Sequence, residues 1–434
     1  MSQPVSSSNA ATPSPAYANY VLAVLFVVYV FNFIDRQILG ILLDDIKHDL
    51  QVSDTAMGFL VGFAFVIFYT LAGIPIARLA DHTSRRSIIA GGLLIWSVMT
   101  AASGMAQNFF QLALARIGVG VGEAAGSPPP HSLITDYFPL ARRGTAFAIF
   151  STAIYIGTML AFLGGSHIKE ALGWRAAFFV VGLPGILLAL VVRFTIREPA
   201  RTGSINVTAV DSTNDAADSV TLGETIRHLL ACRSFMYIVA ASSVQSISGY
   251  SMLVWGPAFL GRVHGMSGTD IGLWLGVIIG ITGCAGGYLG GKLADRFGQR
   301  DARWYMRLPA LQALLCVPFA AGFTLAPDGR LALLYFAPFY LFGAMYVGPM
   351  FAMTQSLVKA RMRATSSAIL LFIVNMIGLG LAPLLVGILN DQVFHMHGPA
   401  AIRYSLLVLG LIGGSSCLLF WQAGSRLRED LARA

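Results

Sequence analysis

The sequence predicts an all-α membrane protein of twelve transmembrane helices in two six-helix bundles. Three observations predict it. The 434-residue chain is 56% hydrophobic and only 12% charged, whereas soluble domains carry roughly a quarter charged residues. Apolar runs recur at the length of roughly twenty residues that crosses a bilayer. The Lys and Arg residues cluster in short loops between those runs, on alternate sides, which is an orientation signal for membrane insertion.

The elements follow in order. Residues 1–16 are rich in Ser, Pro and Ala and contain no Lys or Arg. They lack the charged start of a cleaved signal peptide and read as a disordered tail. Apolar runs then stand at about 17–44, 54–79, 86–106, 109–135, 144–168 and 174–196; residues 17–196 are expected to form the first bundle. Residues 197–232 hold the longest polar stretch, including Asn206, Asp211, Asp215 and Asp218 with no large apolar cluster, and read as a flexible linker. Six more runs stand at about 233–261, 270–293, 303–325, 331–357, 363–390 and 401–423. They make a second bundle, 233–423, ahead of a short tail, 424–434. Pro and Gly interrupt several runs, which neighbouring helices tolerate in a membrane bundle.

If the N-terminus is cytoplasmic, only Lys47, Lys169, Arg175, Arg262, Arg330 and Arg403 of the 29 Lys and Arg fall outside, and Arg36 and Arg116 fall within the membrane. The remainder lie inside, so both termini are expected in the cytoplasm. The net charge of +8 is therefore no sign of nucleic acid. Cys232, Cys284, Cys316 and Cys417 lie in or beside apolar runs without CxxC spacing and read as small buried hydrophobes. Neither a metal nor a cofactor is expected.

Two loops repeat. Ala77-Arg-Leu-Ala-Asp81-His-Thr-Ser-Arg85-Arg86 follows the second run, and Gly291-Lys-Leu-Ala-Asp295-Arg296-Phe-Gly-Gln-Arg300 follows the eighth. Each occupies the same slot of its six-helix set, which is the mark of duplicated halves. The second loop resembles the signature loop of the major facilitator superfamily. The first copy is degenerate, with Ala77 and Ser84 where that pattern has Gly. Asp136-Tyr-Phe-Pro-Leu-Ala-Arg-Arg143-Gly144 resembles the family's loop between helices four and five. The resemblance covers essentially the whole chain. It implies two bundles rocking about a central cavity, a monomer, and a cytoplasmic latch formed in the outward-open state by Asp81, Arg85, Arg86, Asp136, Arg143, Asp295, Arg296 and Arg300. The alternative for the Arg residues is a pure topology anchor.

Asp35, Arg36, Arg116 and Glu123 lie inside apolar runs. Charges in hydrocarbon are costly and usually face a cavity or a partner. Arg116 and Glu123 are two helical turns apart and share a face; Asp35 falls between them in depth. Two acids sharing one Arg can exchange partners as protons bind and leave, and Asn32 could bond in the same patch. A static ion pair locking two helices is the alternative. The Gly-rich string Arg116-Ile-Gly-Val-Gly-Val-Gly122-Glu123 has no strand before it, so it is not a nucleotide-binding turn; small residues there permit close helix contact. Phe33-Ile-Asp35-Arg36-Gln37-Ile-Leu-Gly40 together with that string resembles the Spinster branch of the superfamily. Its members are associated with lysolipid and sphingolipid export. That resemblance implies Asp35 and Glu123 as the protonatable pair with Arg116 as their partner, in a bacterial inner membrane.

The second half has no acid or base deep in a run. Its cavity candidates are Gln245, Ser248, Tyr250, Tyr340, Tyr346 and Met350, with Ser246, Trp255, Tyr335, Phe339 and Met353 beside them; packing is the alternative for each. Charge on one side and apolar rings on the other suit an amphiphilic organic anion better than a sugar, whose hydroxyls need many partners. The expectation is a proton-coupled secondary transporter of such an anion. The alternative is a symporter of sugar acids or other small carboxylates, held by Arg116 or Arg36. No Ser/His/Asp set shares a depth, so a membrane enzyme is not expected.

Overall fold

Lipid offers the backbone no hydrogen bonds, so every spanning segment must satisfy its own. The computed structural model describes residues 14–126, 128–199, 222–359 and 362–432, and they are helical nearly throughout. In the first half α1 is Pro15–Leu50, and α2 runs in two pieces, Asp54–Val61 and Phe63–His82. Next come α3 (Arg85–Ser103), α4 (Phe109–Glu123, continued by Pro128–Tyr137), α5 (Leu140–Leu172) and α6 (Trp174–Thr195). In the second half α7 is Arg233–His264, α8 Gly268–Gly298, α9 Trp304–Leu325, and α10 Gly329–Ala344 with Val347–Ser356. Helix α11 opens as Arg363–Asn375 and continues to Val393, and α12 is Ala401–Gly414 with Ser416–Leu431.

Ten helices among the described residues are long and apolar enough to cross a membrane. The two other expected segments are also helical. One is α4, broken after Glu123 by a tighter turn, Ala124–Gly126. The other is α7, 32 residues long, whose apolarity is diluted by Ser242, Ser243, Gln245, Ser246, Ser248 and Ser251. Caps set the ends: the Ser14 hydroxyl accepts from Tyr17 N with Pro15 at the first helical position, where Pro costs nothing.

The chain crosses back and forth, so both termini reach one face, the near face, and the α1–α2 and α7–α8 turns reach the far face. The halves meet in two seams, α2 against α11 and α5 against α8, and also where α1 meets α7. Small residues make the seams possible. A methyl at Gly58 would overlap Pro383 O, one at Gly62 would overlap Gly380 O, and one at Gly272 would overlap Phe162 O. All of these lie toward the far face. Toward the near face, Gly73 of α2, Gly144 of α5 and Gly291 of α8 meet nothing within 4 Å. The halves are thus shut on the far face and apart on the near face.

Two expectations about segment ends need correction. Residues 197–232 are not linker throughout: Leu222–Ala231 is a helix and Glu198 is bonded to the first half. The reason is amphipathicity, since Leu229 is buried against the second half. Residues 200–221 of the expected linker, and residues 1–13 of the expected tail, lie outside the described residues. The segment 424–434 is no loose tail either. Helix α12 runs to Leu431 because Leu427 packs into the core and Arg428 pairs with Asp301 at 3.1 Å.

Candidate functional site

The Gly-rich face of α4 brings three helices together. Gly120 packs on the Phe65 carbonyl of α2, and Gly122 packs on the Trp96 backbone of α3. That approach carries Arg116 and Glu123 to α1, where Asn32, Asp35 and Arg36 point inward. Arg36 is the hub. Its Nη2 and Nε lie 2.8 and 3.1 Å from Glu123 Oε2, and its Nη2 lies 3.5 Å from Asn32 Oδ1. The guanidinium also sits 5.0 Å from the Phe33 and Phe65 ring centres and 4.9 Å from that of Tyr69, within cation–π range. The Glu123 side chain is fully buried, while that of Arg36 keeps 12% exposure, so Arg36 is the member of the pair that faces outward.

The pairing therefore differs from the one the family resemblance implies. Arg36, not Arg116, holds Glu123. Arg116 donates instead to the backbone carbonyl of Asp35 at 3.3 Å, and its Nε has no partner. Asp35 and Arg36 are neighbours on one helix and point about 100° apart; Arg36 turns toward α2 and α4, and Asp35 toward α3. The Asp35 carboxylate is fully buried and neither oxygen has a hydrogen-bond partner. Trp96 and Thr100 of α3 are polar neighbours of it, and their Nε1 and Oγ1 are themselves unpartnered.

Opposite this corner stand partly exposed tyrosines from both halves. Tyr29 is within electrostatic reach of Tyr69, Arg36 and Tyr250. Tyr340 and Tyr346 are each within reach of Tyr155 and Tyr250. The second half thus meets the charged corner through phenols, with Tyr250 within electrostatic reach of Arg36. Of the other expected cavity residues, Gln245 is buried against α12 and accepts from Ser416 at 2.9 Å. Ser248 lies against Gly413, and Met350 belongs to the core of the second half. In lipid a buried amide is drawn to a polar partner on a neighbouring helix, which takes Gln245 away from the cavity; Ser248 is placed by close packing on Gly413, and its hydroxyl has no partner. Composition does not show the aromatic cage of Arg36, although Phe33 with Arg36 and Phe65 with Tyr69 stand at one-turn spacing.

The near-face loop residues bond within their own halves. Arg85 binds Asp136, and its Nε lies 2.8 Å from Glu198 Oε1. Arg86 donates its backbone N–H to Glu198 at 2.9 Å and its guanidinium to Ile196 O at 3.1 Å. Arg143 caps Phe138 O at 3.0 Å, and Asp295 accepts from Tyr305 at 2.9 Å. Arg296 and Arg300 are exposed; the Asp81 side chain lies outside those described. Among the described residues, no ion pair on this face joins the halves.

Burial works against the Glu198 carboxylate, but the Arg86 N–H, Arg85 and Ser84 outweigh it and hold its pKa below the ordinary value of 4.5. A depressed carboxylate stabilises the fold fully above its unfolded pKa, and that contribution is lost as pH falls through the folded one. Glu198→Gln is therefore expected to lower the melting temperature at pH 7, with the gap to wild type closing below about pH 4. A gap that persists unchanged into acid would count against this role.

On the far face the sequence reading missed a charged network. Asp54 of α2, 3% exposed, takes Lys47 at 2.6 Å, Arg262 of α7 at 2.6 Å and Asn390 of α11 at 2.8 Å. Arg262 also reaches Asp44 through its Nε at 2.9 Å. These groups line a cavity of about 400 Å³ that is separate from the charged corner. The signal was one of position: acids stood on the outer ends of α1 and α2, where the orientation rule gives them no role.

The family model described as Major Facilitator Superfamily matches residues 25–383. The chain is 35% identical to an "MFS-type efflux pump" of Mycolicibacterium smegmatis, over 96% of this chain and 95% of that one. It is 29% identical to a probable galactarate/D-glucarate transporter of Bacillus subtilis, over 64% of each chain. Among solved structures it resembles a bacterial homologue of the human lysosomal transporter Spinster in an inward-facing, unoccupied conformation. That match has a TM-score of 0.85 and 27% identity, and covers 96% of this chain and 99% of the other.

Proposed function

The chain belongs to the Major Facilitator Superfamily, and from that premise we propose that it is a proton-coupled secondary transporter exporting or exchanging an amphiphilic organic anion of lysolipid or sphingolipid type. Membership makes it an integral membrane transporter and not an enzyme; substrate and coupling are the proposal. The observation that carries it is the asymmetry of the cavity. One corner holds Arg36 paired with Glu123 beside an unpaired Asp35, and the wall opposite offers tyrosine rings. An ionic head fits the corner, and a hydrocarbon tail fits the rings. A sugar acid would leave many hydroxyls without partners.

Asp35 and Glu123 are the proposed proton carriers. When Glu123 takes a proton, Arg36 is released to the anion; when Asp35 loses one, Arg116 is the nearest cation to receive it. The charge distribution assigns the near face to the cytoplasm, so this conformation is inward-facing. The two bundles, 17–196 and 233–423, then rock as units. Asp81, Arg85, Arg86, Asp136, Arg143, Asp295, Arg296 and Arg300 latch across the halves when the near face closes. A monomer in a bacterial inner membrane completes the reading, and the efflux pump among its relatives supports the export direction.

A second reading has its own observation. Arg116 is buried with an unpartnered Nε, which could hold a small carboxylate, and one relative is a probable sugar-acid transporter. A thermal-shift screen of purified protein separates the two. Lysophospholipid at saturating concentration should stabilise the fold, by about 2.7 kcal/mol at a hundred times its dissociation constant, and glucarate should not. Stabilisation by glucarate with none by any lysolipid or sphingolipid overturns the first reading.

A further inference from the structure

The far-face seams contain a second internal repeat. Helix α2 begins Ser53-Asp54-Thr55-Ala-Met-Gly58-Phe-Leu-Val-Gly62, and α8 begins Ser267-Gly268-Thr269-Asp-Ile-Gly272-Leu-Trp-Leu-Gly276. Both read Ser-x-Thr-x-x-Gly-x-x-x-Gly at the same slot of their six-helix set. The structure gives each position the same job. Ser53 caps its helix by accepting from Ala56 N, and Ser267 does so from Asp270 N, each at 3.1 Å. Thr55 N donates to Asp391 at 2.7 Å, and Thr269 N donates to Glu170 at 2.7 Å. Each acid comes from the other half: Asp391 ends α11 and Glu170 ends α5, the fifth helix of each set. The glycines let the helices below close up, since methyls at Gly58 and Gly272 would overlap partner carbonyls.

We infer that these two helix starts, each capped by a carboxylate of the opposite half, form a duplicated clasp that holds the far face shut and sets how often it opens. An acid at a helix N-terminus meets free N–H groups and the positive end of the helix dipole. Both contacts cross between halves, so both must break when the halves part on this side. The copies are unequal. In the first the middle residue is Asp54, which adds Arg262 and Asn390 across the seam. In the second it is Gly268, where a side chain would run into Glu170 and Lys169. The α5–α8 copy therefore holds by the helix cap and packing alone, without the side-chain bonds of the α2–α11 copy. Only the step from opening to transport rests on the alternating-access reading above.

The test uses full-length protein in nanodiscs, with the native cysteines replaced and spin labels at Met105→Cys and Met396→Cys, two exposed far-face positions in opposite halves. Distances are measured at one pH without substrate, so failure of the substrate or proton proposal does not affect them. Wild type should give mainly one short distance. Glu170→Ala with Asp391→Ala should raise the longer-distance population about fivefold. Asp45→Ala, which removes a pair to Lys169 inside the first half, should leave it unchanged. Unchanged distances in the double variant overturn the clasp. If that variant does not fold, Thr55→Cys with Asp391→Cys serves instead, because the two native side chains touch at 2.6 Å. Its disulfide should stop transport and reduction restore it; transport at the wild-type rate in the oxidised protein overturns the clasp equally.

Discussion

Arg36→Ala is expected to cost about 3–5 kcal/mol of stability, the usual penalty for stranding one member of a buried ion pair. The guanidinium gives Glu123 two bonds to one oxygen, and no water reaches that carboxylate, whose side chain is fully buried. Its other oxygen lacks a partner, and the polar groups left beside it are the neutral Asn32 amide and Arg116. The rings of Phe33, Phe65 and Tyr69 would at the same time lose the cation they surround, a further contribution of about 0.5–2 kcal/mol per ring when desolvated. Arg36→Lys should recover only part of this, because a compact ammonium cannot present two donors in one plane or stack on the rings. Arg36→Ala combined with Glu123→Gln should be more stable than Arg36→Ala alone, since the stranded charge is gone. Unfolding of the four proteins in the same detergent gives the double-mutant cycle. A single-variant cost under about 1 kcal/mol would make the pair incidental to the fold.

What the sequence made legible divides along physical lines. Run length and charge placement are one-dimensional quantities, and lipid thickness converts them directly into helices, so α1 through α12 stand where the apolar runs stand. The four intramembrane charges were legible for the same reason. Their partners were not. Asp35 and Arg36 are adjacent in sequence, and which one faces α4 depends on the rotation of α1, fixed by packing of Val30 and Phe33 on Gly157 of α5. Gln245 and Ser248 show the same limit: their chemistry was plain, but α12 claimed them before the cavity could. The Ser-x-Thr-x-x-Gly-x-x-x-Gly repeat was in plain view, yet its residues are ordinary for a helix start followed by a close contact. Only the acids Asp391 and Glu170, far away in sequence, give it meaning.

Asp35→Asn is expected to abolish accumulation driven by a pH gradient while leaving the fold intact. A buried carboxylate without a donor is among the costliest arrangements a protein can hold, and Asp35 has none. Its neighbours Trp96 and Thr100 carry hydrogens that could serve it after a small rotation, and the Arg116 guanidinium already touches its own carbonyl. The site is therefore built to change partners rather than to lock. Asn has nearly the same shape and no titrating proton. Each coupled proton carries about 1.4 kcal/mol per pH unit, enough for about tenfold accumulation. Wild-type proteoliposomes should reach roughly that ratio per unit of gradient, and Asp35→Asn should stay at unity while still exchanging labelled for unlabelled substrate. Glu123→Gln should lose coupling too, but through a different route: it frees Arg36 for the anion as protonation would, so its exchange should also show tighter substrate binding. The split between exchange and accumulation separates a coupling residue from a merely structural one. If both variants accumulate substrate with the wild-type dependence on pH, the charged corner is a lock between helices and the proton passes elsewhere.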